Sequence, residues 1–166
     1  KIVVVPVKDT TAPTLSAVSM ASDNATSTVA GIGDVVTLTM TANEMIRTPV
    51  VTFKSGGVAV SDSSVTYTNT SGDTWTAAYT VESDDTAGAV TYSIAYDDTR
   101  GNSGTAVTSG SGSVSVDSSV PTITSSIVSS VNEGATALGS VSANETVTWS
   151  ISGSGVSISS SGVVTL

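Results

Sequence analysis

Apolar and hydroxylated residues alternate along much of this chain with the period of two that marks a half-buried β-strand. Val35-Val-Thr-Leu-Thr-Met-Thr-Ala42 is the clearest case, with its apolar set and its threonines falling on opposite faces. Comparable runs occur at Thr14–Met20, Val50–Phe53, Val65–Thr68, Trp75–Val81 and Val90–Tyr96. A further run at Ala106–Val107 and Val114–Val116 is broken at Gly110 and Gly112, and Val58–Val60 reads as a short continuation. Turn-forming clusters punctuate them: Asp23-Asn24 and Gly31-Ile-Gly33-Asp34 around a loop, Ser55-Gly-Gly57, Asn69–Asp73, Glu82–Asp85 and Asp97–Asn102. No useful length shows a helical period. Seven short strands at a spacing of roughly 8–12 residues predict an antiparallel sandwich. Phe53, Tyr67, Trp75, Tyr79 and Tyr92 then become core or cross-strand residues.

The pattern restarts. Asp9-Thr-Thr-Ala-Pro13-Thr-Leu15 returns 108 residues later as Asp117-Ser-Ser-Val-Pro121-Thr-Ile123. A repeated boundary at about the length of one sandwich domain is the mark of modules in series. After it come strand-like runs at Thr122–Val128, Ala137–Ala143, Val147–Ile151, Val156–Ile158 and Val163–Leu166, with Val131–Gly134 as a turn. Ala143-Asn-Glu145 closes its strand as Ala42-Asn-Glu44 closes the earlier one. The division expected is therefore residues 1–8 as a strand of a preceding module or a donor strand, 9–117 as a sandwich, and 118–166 as a partial module. The second set lacks counterparts of the last strands of the first, which leaves open edges. Either the chain continues or another chain supplies those strands.

Composition narrows the function. Fourteen Asp and Glu against five Lys and Arg give a net charge of −9, with no His and no Cys. Such a surface repels nucleic acid and anionic lipid and favours divalent cations. The missing Cys removes disulfides and thiolate metal sites, and the missing His removes a conventional catalytic triad. Gly31-Ile-Gly33 and Gly110-Ser-Gly112 precede neither a helix nor a Lys, so they are not phosphate loops. The run Ile2–Val7 is too short to span a membrane and no other stretch is long and apolar enough, so no membrane insertion is expected. Paired acids set in Ser/Thr/Gly turns, with aromatics at only 4%, argue against glycosidase chemistry and against a sugar-stacking face. The chain is expected not to be an enzyme.

Asp9-Thr-Thr-Ala-Pro13, the Val35–Ala42 strand and Asp97-Asp-Thr-Arg-Gly-Asn102 together resemble the immunoglobulin-like repeats of large bacterial surface and adhesin-type proteins, over residues 9–117. Val131-Asn-Glu-Gly134, Thr148–Gly153 and Ile158–Leu166 look like the first half of a cadherin-like repeat. The resemblance implies an all-β chain: a seven-strand antiparallel immunoglobulin-like sandwich followed by an incomplete second β-sandwich module. It also implies an extracellular spacer or adhesive element of an adhesin, stalk or surface layer, with junctions stiffened by calcium. The dense acidic linker of true cadherins is absent.

Topology supplies the candidate metal ligands. Where consecutive strands run antiparallel, the start of the first strand, the end of the second and the end of the sixth share a pole. That gathers Asp9, Glu44, Asp97 or Asp98, and Asn102, an oxygen set of the kind calcium takes. The opposite pole holds Asp23, Asn24, Glu82, Asp84 and Asp85, with Asp117 and Glu145 expected to face it at the second boundary. The competing explanation is that Asp and Asn simply form these turns. Partners are expected to be neighbouring immunoglobulin-like modules. The alternative is a filament or virion appendage whose identical chains join by strand exchange through residues 2–7.

Overall fold

The computed structural model describes residues 8–60, 65–127, 132 and 134–166. They form no helix, and none of them builds a helix long and apolar enough to cross a membrane. The chain divides into two compact units, one ending at Ser119 and the other spanning Val120–Leu166. The strand expected at Ile2–Val7 lies outside the described residues, as do Val131 and Glu133 of the expected turn.

Unit 1 consists of two sheets. The first joins β1 (Leu15–Ser22), β3 (Val35–Ala42), β7 (Thr74–Thr80) and β6 (Thr66–Ser71), in that order and antiparallel throughout. The second runs β2 (Val29–Gly31), β9 (Ser115–Asp117), β8 (Gly88–Ala95), β4 (Val50–Ser55), β5 (Val58–Ala59). The alternation read from β3 is the alternation observed: Val36, Leu38, Met40 and Ala42 are buried while their neighbours are half-buried. Those four meet Val51, Phe53, Tyr92 and Ile94 of the facing sheet in one core cluster. The Phe53 and Tyr79 rings, one from each sheet, pack tilted with centroids 4.8 Å apart. This is an all-β sandwich of immunoglobulin-like type.

Two features depart from the expected seven strands. β2, expected within a loop, is a three-residue strand pairing parallel with β9 through Val29↔Ser115, Ala30↔Val116 and Gly31↔Asp117. It is too short to show a period, and its partner is remote in sequence. β6 runs on to Ser71 through an irregularity between Asn69 and Ser71. The last strand is split as expected, at the glycines. Val107 exchanges both backbone hydrogen bonds with Ile94, and Val114 picks the ladder up again at Val90. Between them Ser111 crosses to β1, bonding Val18 and Met20.

Unit 2 is a three-stranded antiparallel sheet, β10 (Ala137–Ser140), β12 (Val163–Thr165) and β11 (Ser157–Ile158). The expected first strand is represented by an Ile123↔Ala143 bridge and a Thr124 to Ser142 bond. Val147–Ile151, expected as a strand, is irregular. Its alternation survives in the burial, but no strand among the described residues pairs with it.

Candidate site at the carboxylate pole

β1 begins opposite the end of β3, through the pair Leu15↔Ala42. The loop after β8 reaches the same end. Ile46 bridges Asp98, and the Arg47 amide donates to the Asp97 carbonyl at 2.9 Å. Three loops thereby deliver one carboxylate each. Asp9, Glu44 and Asp98 offer oxygens all within 4.8 Å of one another.

Asp98 organises this pole. It is 1% exposed, covered by its own loop. Its Oδ1 accepts from the amides of Arg100 and Asn102 at 2.8 Å each, and its Oδ2 accepts from Asn102 Nδ2 at 2.6 Å. Desolvation pushes its pKa up most strongly of any single influence. The hydrogen bonds from Asn102 and from the amides of Arg100 and Gly101 together outweigh it and hold the carboxyl below the usual range. Asn102 Nδ2 also donates to the Asp9 carbonyl at 3.4 Å, tying the start of the unit to the loop after β8. Asn102 thus faces the cluster through a donor nitrogen and acts as a brace rather than as an offered oxygen. Asp97 stands outside the three converging carboxylates; its backbone pairs with Ser103 and Arg47. Arg47 reaches back over this loop, Nη2 to the Thr99 carbonyl at 3.1 Å.

At the other end of unit 1, Asp117 pairs across to Gly31, and Ser118 Oγ donates to the Asp85 carbonyl at 2.7 Å. The Asp117 carboxylate accepts from the Ser119 hydroxyl and amide, which hold its pKa below the usual range. Glu145 belongs to unit 2, where it is half-buried and its Oε1 has no hydrogen-bond partner among the described residues.

The sequence repeat has a structural counterpart more detailed than its residues suggest. In unit 1, Asn43 Oδ1 accepts from the Thr14 amide at 2.8 Å while the Asn43 amide donates to the Thr14 carbonyl at 2.9 Å. In unit 2, Asn144 Oδ1 accepts from the Thr122 amide at 2.7 Å while the Asn144 amide donates to the Thr122 carbonyl at 3.1 Å. Just upstream, Asp9 accepts from the Thr11 amide and Asp117 from the Ser119 amide, both at 3.0 Å. An Asx turn, a proline, and a Thr pinned by an Asn recur in each copy. The Ala-Asn-Glu match was visible in the sequence, but its pairing with Thr14 and Thr122 was not.

No protein-family model matches the chain, and no curated protein matches it. Among solved structures it is similar to titin M4, at 21% identity over 64% of this chain and 94% of that one, with a TM-score of 0.35.

Proposed function

We propose that this chain is a structural segment of an extracellular repeat protein, a spacer or adhesive element built from modules in series. The observation that carries this reading is the twice-used Asn–Thr pin behind an Asx turn and a proline. The device fixes how a chain enters a sandwich from a preceding segment. A protein that uses it twice is organised as an array. The absence of His and Cys and the hydroxyl-rich faces support a mechanical rather than a catalytic role.

The same reading makes Asp9, Glu44 and Asp98 a candidate calcium site at the entry to unit 1, where a cation would offset the repulsion of three converging carboxylates. Bacterial immunoglobulin-like and cadherin-like repeats are the families in which we place the two units by resemblance. The test of the extracellular reading is protease shaving of intact source cells, which should release peptides of this chain. Recovery only after lysis would overturn it.

A further inference from the structure

The outer face of the second sheet carries a hollow of about 240 Å³ lined by Thr52, Lys54, Thr91, Tyr92, Ser93 and Thr108. Two neighbouring strands supply most of it. Thr52 pairs with Ser93 and Lys54 with Thr91 in the β4–β8 register, which places a hydroxyl row beside a cation. Lys54 is exposed. In a chain of net charge −9 it has no ion-pair partner among the described residues.

The floor of the hollow is a gap in the hydrogen-bond ladder. In β8 the amides of Val90 and Ile94 point toward the last strand, bonding Val114 and Val107. Alternation along a strand turns the Tyr92 amide and carbonyl the same way. Thr108–Ser113, which lie opposite, instead ride over β1 through Ser111. The Tyr92 main chain therefore has no backbone partner there. Its ring belongs to the core, so what it brings to the hollow is this open donor and acceptor. Gly110 and Gly112 permit the detour. A Cβ on Gly110 would stand 2.7 Å from Tyr92 Oη, and one on Gly112 would collide with the Met20 carbonyl.

We infer that this hollow binds a single carboxylate-bearing sugar, a free or terminal uronate, rather than a run of them, since a polyanion would meet the repulsion of the net charge of −9. Lys54 meets the carboxylate. The hydroxyls of Thr52, Thr91, Ser93 and Thr108, each able to donate and accept, meet the ring hydroxyls together with the Tyr92 main chain. A peptide strand fits less well, because the ladder is open at one residue only and closes again at Val107 and Val114. The volume, below the ~300–1,000 Å³ of drug-sized pockets, suits a single small polar ring. The scarcity of aromatics that argues against a stacking platform does not bear on a site that holds its ring by charge and hydrogen bonds. This inference adds a recognition face to the module and does not rest on the spacer reading.

The test is an amide chemical-shift titration of the full chain with glucuronate, using glucose and an acidic hexapeptide as controls. Saturable shifts should centre on Tyr92, Ser93 and Thr108, with a dissociation constant on the order of 1 mM. Glucose should bind at least tenfold more weakly. Lys54→Gln should lose about tenfold in affinity and Lys54→Arg should retain most of it. Absence of saturable shifts up to ~10 mM, equal binding by Lys54→Gln, or a hexapeptide that binds as tightly as glucuronate would each overturn the inference.

Discussion

Two buried polar side chains in unit 1 illustrate opposite uses of a hydrogen-bonding group. The Asp98 carboxylate accepts three hydrogen bonds, so its ionised form is the one the fold stabilises. Because its folded pKa is depressed below the ordinary 3.8, its contribution is fully present above the unfolded value and is lost as pH falls through the folded one. Asp98→Asn should therefore narrow the gap in melting temperature between neutral and strongly acid solution; an unchanged acid limb would show that another carboxyl controls it. The same variant tests the calcium site, since calorimetric heat with calcium should appear for the natural chain and vanish for Asp98→Asn. Tyr79 is the converse. Its hydroxyl is buried with no partner among the described residues, and burial together with the nearby Asp85 carboxylate keeps the phenol neutral by raising its pKa. The ring does the packing, against Phe53. Tyr79→Phe removes only the unsatisfied group, so stability in urea should stay within ~0.5 kcal/mol or rise. Sequence reading placed both side chains, Asp98 in a turn and Tyr79 in a core. It could not tell a satisfied polar group from an orphaned one, because that depends on atoms contributed by other elements.

At the scale of elements, legibility followed period and length. β3 is eight residues of strict alternation, and structure and expectation coincide residue for residue. β2 has three residues and a parallel partner far along the chain, so no local signal announced it. The split final strand lies between these extremes. Gly110 and Gly112 marked the break, but the reason for it is a close approach to β1 that only the fold reveals. Gly112 has φ +75° and faces the Met20 carbonyl. Gly112→Ala should cost roughly 2 kcal/mol or more, combining left-handed strain with displacement of backbone, read by urea unfolding. A loss of a few tenths would mean that the crossing over β1 relaxes freely. The pins are elements of a different kind, each a side chain that completes the ladder at a strand end. Asn43→Ala leaves the Thr14 amide to water and should cost about 1 kcal/mol, whereas Asn43→Asp keeps the acceptor and should cost less.

For the molecule as a whole, the same entry device begins two units with very different interiors. Aligning the pins makes Ala143 the counterpart of Ala42, and the positions before it match in turn. In unit 1, Leu15, Met40 and Ala42 lie in or against a core shared by two sheets. Their counterparts Ile123, Val141 and Ala143 have no such cover: Ile123 is 68% exposed and the other two are half-buried. Pro13 is fully buried and Pro121 is exposed. Among the described residues of unit 2 the buried hydrophobic residue is Val164. Three short strands with so little interior are marginal in water, whereas unit 1 has a core shared by two sheets. Leu38→Ala, at a fully buried position, should cost about 2–5 kcal/mol. Hydrogen exchange separates the two cases. Amides of β3, β7 and β8 should exchange only at the slow rate set by global unfolding, and those of β10 and β12 orders of magnitude faster. Protection in β12 equal to that in β3 would show that unit 2 draws stability from contacts its own sheet does not supply. The boundary repeat was legible because its residues recur. The inequality of the two interiors was not, because alternating patterns of equal quality look alike until something is seen to cover them.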